Sequence, residues 1–368
     1  MKYSQIVWDG KKFDVPPEMG SPREDQLTGS DLDNLIELSG RVCYDSLGTG
    51  RNSKDYHKHI NEVGHGSVQE HANLTFGISL DIPTYLGCVE ALINRPGIWI
   101  CKETPTILTS NTGPGFNLRI TANMRAIIEW FEFPPMNKLS IVLGQQIQHL
   151  AKEKCPLVLQ DITTSNVGMP LTIVPPKYEE ETWVSVFLHN VSRGLTHELV
   201  RHKYRTAVSQ RSTRYVDESE SNWCWHPLIS KNINSNDNLI KYNDIDLSLD
   251  NIQSICQSGY SKLVENLQEK LISEGTDKFT ARKQARGAAR GILGNALNTE
   301  LIFSANLAQW KWIFNLRASS HADAEIRVVV NEIYEQFAER FPDNFQGYEK
   351  ENCADGLGYS LKEPVIVN

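Results

Sequence analysis

The spacing of apolar and polar positions changes character several times along this chain. Residues 1–30 are polar and punctuated by Pro and Gly, which predicts an extended arm with room for one strand. Residues 31–45 (DLDNLIELSGRVCYD) carry a short helical period. Ala72, Leu74, Phe76 and Ile78 then alternate with Asn73, Thr75, Gly77 and Ser79, the pattern of a half-buried strand. Between 81 and 182, apolar helical stretches are interrupted by Pro96, Pro114, Pro134, Pro135, Pro175 and Pro176, which predicts an inserted subdomain or lid. The run WVSVFLH at 183–189 suits a strand buried on both faces, followed by a helix with Ser192 as its N-cap. Residues 227–252 are rich in Asn and Asp and read as a surface loop. The last third reads as strongly helical: Ile326, Val329, Val330, Ile333 and Phe337 follow the period of a core-facing helix that must end by Pro342. Helices predominate, and strands do not alternate regularly with them. The predicted class is therefore α+β, a helix-rich domain around a small, mainly antiparallel sheet. We read 1–368 as a single domain with an insertion at about 81–182.

Composition narrows the function classes. A chain of 368 residues with a formal net charge of −8 lacks the broad basic surface that nucleic acids or anionic membranes require. Any anion must be gripped by a local cluster. The cysteines at 43, 88, 101, 155, 224, 256 and 353 form no CxxC pair and read as reduced thiols. The first residues have no apolar signal core, and no apolar run is long enough to span a bilayer. A soluble, cytoplasmic protein is expected.

Against this acidic background, RHKYRTAVSQRSTRY at 201–215 stands out. It holds Arg201, His202, Lys203, Arg205, Arg211 and Arg214, with no acidic residue between Glu198 and Asp217. Guanidinium forks suit phosphate, and Ser209 and Ser212 add hydroxyls between them. Most charge runs are solvated faces. Here Ala207, Val208 and Tyr215 are interleaved, so the segment reads as partly buried and as a phosphate site. Arg282, Arg286 and Arg290 fall on one helix face, with Arg290 nearest a ligand and Arg282 better read as solvated. At roughly 100° per residue, Asn306, Trp310, Ile313, Arg317 and His321 form one stripe, and an arginine there needs an anion or polar acceptors. A salt bridge would satisfy it, as would a carbonyl-bearing ring. GHGSVQEH at 64–71 offers His65, Glu70 and His71 at a strand entrance, a weak signal alone. His197, Glu198 and His202 miss the spacing of a zinc-protease pair, and SLGTGRNSK fits neither phosphate-binding glycine motif; no metal site is predicted.

Taken in order, these elements resemble the flavin-dependent thymidylate synthases. That family's RHR triplet, spacer and S-Q-x-S-x-R-Y correspond to Arg201-His202-Lys203 and Ser209-Gln210-Arg211-Ser212-Thr213-Arg214-Tyr215. Its strand-entry motif is matched by His65-Gly66-Ser67-Val68-Gln69-Glu70-His71 and Leu74-Thr75-Phe76. The C-terminal block is matched by Asn306, Leu316-Arg317, His321-Ala322 and Glu325-Ile326, and the upstream R-V-S-Y by Arg41-Val42-Cys43-Tyr44. The chain departs at Lys203, at Glu198 where Gln is usual, at Cys43, at Ala308 and Trp312, and in a spacer to Ser212 longer by one residue.

The resemblance implies reductive methylation of dUMP, with methylenetetrahydrofolate, NADPH and FAD, in a homotetramer whose active sites draw on several subunits. It implies catalytic roles for Arg317 and Ser212. It implies dUMP contacts from Arg214, Arg290, Ser212, Gln210, Glu198 and Arg317. FAD and folate would be lined by His65, Ser67, Glu70, Arg201, His202, Lys203, Asn306 and His321. No cysteine nucleophile is implied. Two alternatives remain open: a flavin- and folate-dependent pyrimidine nucleotide hydroxymethylase, and a nucleotide-binding relative without catalysis.

Overall fold

The computed structural model describes residues 2–364 except 94, 108–113, 134–136, 235, 236, 238, 243 and 244. Pro134 and Pro135 lie outside the described residues. Two four-stranded antiparallel sheets organise the rest. The first takes strands β1 (Ser4–Trp8), β6 (Trp183–Ser192), β7 (Thr206–Gln210) and β10 (Asn298–Asn306) in the order β1-β6-β10-β7. The second takes β2 (Asn73–Asp81), β3 (Ile98–Ile107), β4 (Pro114–Asn123) and β5 (Leu171–Ile173) in the order β3-β4-β2-β5. Every pairing in both is antiparallel, the α+β arrangement expected.

Helices cover the sheets. Near the N-terminal end lie α1 (Asp31–Tyr44) and α2 (Ser53–Glu62), and the second sheet carries α3 (Ile82–Leu92), α4 (Met124–Ile128) and α5 (Lys138–Lys154). Then follow α6 (Arg193–Leu199), α7 (Pro227–Asn232), a small hairpin of β8 (Ile240–Tyr242) and β9 (Ile245–Leu247), and the long α8 (Leu249–Ser273) with α9 (Lys278–Ala289). The chain finishes with α10 (Leu307–Arg317), α11 (Ala324–Arg340), α12 (Pro342–Phe345) and the hairpin β11 (Glu349–Asn352) with β12 (Tyr359–Lys362).

The burial of β6 explains its continuous apolar run. Val184, Val186 and Leu188 face a core shared with Trp310, Phe314 and Phe337, while Phe187 turns to Leu35, Leu38 and Val42 of α1. Ser192 ends the strand and accepts from Leu195 N–H at 3.0 Å, capping α6 as expected. In the second sheet, Leu74, Phe76 and Ile78 point to a separate core with Leu118, Ile120, Leu143 and Ile147. Residues 81–182 therefore supply three strands of a sheet whose remaining strand is β2.

Three expectations need correction. The last third is not all helical, since β10 is the strand that joins β6 to β7. The 227–252 segment contains α7, a hairpin and the start of α8, whose N-cap Ser248 and Asn251 form a capping box. His321 does not share the stripe of α10, because that helix ends at Arg317.

The sheets are tied by His71, which is fully buried. Its Nδ1 lies 2.6 Å from Ser304 Oγ on β10 and its Nε2 2.9 Å from Ser209 Oγ on β7. Burial holds its pKa down at about 3, so the ring is neutral and bonded on both sides.

Candidate functional site

The turn after β7 builds one wall of a large cavity. Along β7, Ala207 and Ser209 point inward while Val208 and Gln210 line the cavity. Ser212 N–H donates to Cys43 carbonyl at 2.9 Å, anchoring the turn to the end of α1. Ser212 carbonyl accepts from Tyr215 and Val216 N–H at 3.0 Å, a helical turn that sends Arg214 and Tyr215 to the cavity side. The opposite wall comes from Tyr44, from the 46–51 loop, from Tyr56, His59 and Ile60 of α2, and from His65. Phe279 and Lys283 of α9 complete it, enclosing about 890 Å³.

This wall contains no Asp or Glu. Arg51, Arg214 and Lys283 lie on it with no ion-pair partner among the described residues. Lys283 Nζ sits 4.9 Å from the Tyr215 ring centre, and Tyr215 meets Tyr44 edge-on at 4.9 Å. His65 Nδ1 is 3.0 Å from the Tyr44 hydroxyl, and burial lowers the His65 pKa. The Tyr44 phenol is pushed up to about 12 by burial and by Tyr215 and Cys43. Burial also pushes the Cys43 thiol up to about 11, so it stays protonated near neutrality and is a poor nucleophile. In a chain of net charge −8, an acid-free cavity with three unpaired cations and several aromatic rings is chemically built for a flat, anionic ligand.

His65, Gln210, Ser212 and Arg214 are thus brought together. Gln210 Nε2 also donates to Thr196 Oγ1 and Thr299 Oγ1, at 3.1 and 3.2 Å, which fixes its amide. A second cluster forms at the end of α10. There Arg317 donates from Nε to His202 Nε2 at 3.0 Å, from one terminal nitrogen to Glu198 Oε2 at 2.7 Å, and from the other to Glu198 carbonyl at 3.2 Å. Burial and the adjacent Arg317 hold the His202 pKa down at about 4.

The remaining residues are dispersed. Arg290 is exposed and reaches Thr213 Oγ1 at 3.3 Å, while Arg286 is held by Tyr215 carbonyl and by Asp217 at 2.6 Å. Arg201, Lys203, Ser67 and His321 are exposed. Glu70 accepts from Arg125 at 2.7 Å. Asn306 is buried, capping α10 through Gln309 N–H at 2.9 Å and donating to Glu180 carbonyl at 3.0 Å, so its amide serves the fold. Sequence reading missed Arg51, Tyr56, His59, Phe279 and Lys283. Arg51 sits in the SLGTGRNSK segment, which fits no known phosphate-loop spacing, and Lys283 is masked by the arginines of α9.

A family model described as "Thymidylate synthase complementing protein" matches residues 180–343. Flavin-dependent thymidylate synthases of Corynebacterium diphtheriae and Mycobacterium tuberculosis are each 34% identical to this chain, over 177 and 179 residues. Each match covers 48% of this chain and 66% of the relative, so the chain spans just under two thirds of these relatives' length. A solved structure of the UMP/dUMP methylase PolB from Streptomyces cacaoi, bound with 5-Br dUMP, is 18% identical with a TM-score of 0.28. It covers 45% of this chain and 70% of that chain, a likeness too slight to bear on the site. The matched region contains the basic segment, β10 and the Arg317 cluster, and over it the chain is similar to the flavin-dependent thymidylate synthases.

Proposed function

We propose that this chain methylates dUMP to dTMP, with methylenetetrahydrofolate as one-carbon donor and NADPH as reductant through FAD. The observation that carries the reading is the acid-free cavity that gathers Ser212, Gln210, Arg214 and His65. Its cations and aromatic walls also fit FAD, which joins a flat isoalloxazine ring to a diphosphate. Bound there, FAD would supply the hydride chemistry.

In this reading the chain's own residues bind and orient. Ser212, Arg214 and Arg290 take the nucleotide phosphate, with Gln210 and Glu198 beside the nucleotide. Arg317 donates to the uracil carbonyls and stabilises negative charge as the ring becomes nucleophilic. His65, Ser67, Glu70, Arg201, His202, Lys203 and His321 would line the FAD and folate region, while Asn306, its amide committed to capping α10 and to Glu180 carbonyl, supports that region from within the fold. Arg317, Glu198 and His202 lie outside the cavity wall of their own chain. That separation supports a homotetramer in which one subunit's Arg317 cluster completes another's cavity. The exposed apolar side chains Ile255, Leu263 and Ile272 on α8 support association as well. The reading treats 1–368 as one domain with 81–182 inserted, in keeping with a family match that begins at 180. It also places the protein in the cytoplasm, supported by seven free cysteines.

The test is product identification by mass spectrometry after incubation with FAD, NADPH, methylenetetrahydrofolate and dUMP. Formation of dTMP is expected. A hydroxymethylated nucleotide would replace methylation with water capture of the one-carbon adduct. Unchanged dUMP with bound flavin would sink the proposed reaction.

A further inference from the structure

The segment Ser46–Arg51 fits neither known phosphate-loop spacing, yet it forms part of the cavity rim through Ser46, Gly50 and Arg51. Its carbonyls are taken from the protein side. Arg41, only 1% exposed, donates to the carbonyls of Ser46 (3.1 Å), Thr49 (3.2 Å) and Arg51 (2.7 Å). Its other two N–H bonds go to Glu37 Oε1, at 2.8 and 2.6 Å, so all five guanidinium donors are committed. Gln26 Nε2 adds a second bond to Thr49 carbonyl at 2.6 Å, and Arg23 donates to Gly50 carbonyl at 2.9 Å. Gly48 and Gly50 hold φ of 77° and 76°, the left-handed turns that allow so many carbonyls to face one way.

Two donors at the end of the loop are left over. Among the described residues, the N–H groups of Gly50 and Arg51 have no hydrogen-bond partner, and the exposed Arg51 guanidinium has no ion pair. Ser46, Gly48 and Thr49 N–H groups are engaged, by Arg41 carbonyl, Gln26 Oε1 and Ser46 carbonyl, so the free donors are confined to the Gly50–Arg51 end of the loop. The loop borders a cavity that has no carboxylate on its wall and holds Lys283 and Arg214 besides. Arg214 is adjacent to Ser212 on the β7 side, whereas Arg51 belongs to the α1–α2 connection. The cavity has two cationic walls built from different parts of the chain.

We propose that the 46–51 loop is a second anion-binding element, which takes the phosphate or carboxylate of the co-substrate sharing the cavity with the nucleotide. The co-substrate's identity rests on the function proposed above, but the loop's affinity for an anion does not. Free backbone N–H groups beside a guanidinium form charge-assisted bonds to either anion. Arg41 is a positioning residue here, since it organises the loop and has no donor left for a ligand.

The direct probe is inorganic pyrophosphate, titrated calorimetrically into the full chain at low salt. Arg51→Gln is expected to weaken it about tenfold, the usual effect of losing a bond to a charged group. Gly50→Ala should weaken it in the same direction; a Cβ there meets nothing within 4 Å, so packing is kept while the left-handed turn is strained. The dUMP affinity of both variants should be unchanged. Pyrophosphate binding that is absent, or equal in wild type and both variants, overturns the proposal.

Two ratios then name the source. If the anion is a flavin phosphate, Arg51→Gln erases the preference for FAD over riboflavin. If it is the folate carboxylate, it erases the preference for tetrahydrofolate over tetrahydropteroate. Pyrophosphate binding that depends on Arg51 with neither ratio moved would refute the co-substrate assignment. Loop binding without dTMP formation would leave the loop standing and remove the proposed reaction; dTMP formation without loop binding would do the reverse.

Discussion

Arg317 shows how much a single side chain decides here. A guanidinium only donates, so His202 Nε2, 3.0 Å from Arg317 Nε, must accept, and its proton sits on Nδ1. The same contact, after burial, explains why His202 stays neutral down to about pH 4. Glu198, whose charge would oppose a bound phosphate, is answered by Arg317 at 2.7 Å. Of the five guanidinium donors three are used within the chain, leaving two for a ligand. Arg317→Ala is therefore expected to lower dTMP formation by about 100-fold or more, as loss of a charge-stabilising donor does. Flavin absorbance of the purified variant should match the wild type; near-normal turnover would take Arg317 out of the reaction. At this scale Ser212, Gln210 and Arg214 were legible because cations without nearby acids form a local signal. Arg51 and Lys283 were not, because each acquires meaning only from a wall assembled from α1, α2, β7 and α9.

Among the elements, the crossing of α1 and α2 shapes the cavity most directly. Gly40 lies where α1 passes Tyr56 of α2, and a Cβ there would overlap the Tyr56 hydroxyl. Tyr56 lines the cavity, so a push at Gly40 reaches the site. Gly40→Ala should cost about 1–3 kcal/mol in urea unfolding, the range for overpacking a close contact, and should also weaken flavin binding. Gly291→Ala, where a Cβ meets nothing within 4 Å, serves as control. Equal stability of the two variants would show that the crossing has slack. The elements read correctly from sequence were those with a clean period: α1, β2, β6 and α11. β10 escaped because its buried run Leu301–Ala305 is as compatible with a helix interior as with a strand, and helices flank it. In the 227–252 stretch, polar residues taken for a loop include helix-capping groups: Ser248 accepts from Asn251 N–H at 3.2 Å.

On the scale of the whole molecule, the two clusters of proposed site residues sit apart on one chain. If copies share sites, two inactive variants can repair each other. Ser212→Ala lacks a cavity residue and Arg317→Ala lacks the second cluster, so mixing them under subunit exchange should restore dTMP formation at a fraction of the wild-type rate. Activity that stays at the level of the separate variants would mean that each chain uses its own Arg317. Such an arrangement leaves no trace in hydrophobic period or charge pattern, because it depends on a surface meeting its copy.

The strand order of the first sheet also bears on how the protein is made. The second sheet is contiguous, running from 73 to 173, and can close while the rest of the chain is still being synthesised. In the first sheet, β6 and β7 are close in sequence but do not touch, because β10 lies between them. Until residue 298 has emerged, β6 has only β1 to pair with and β7 has no neighbour. A nascent chain therefore carries a nearly continuous apolar strand with one unpaired edge for more than a hundred residues of synthesis. The β7 side of the cavity cannot take its place in the sheet until β10 has been made, and during this interval the unpaired strand edge exposes the chain to aggregation.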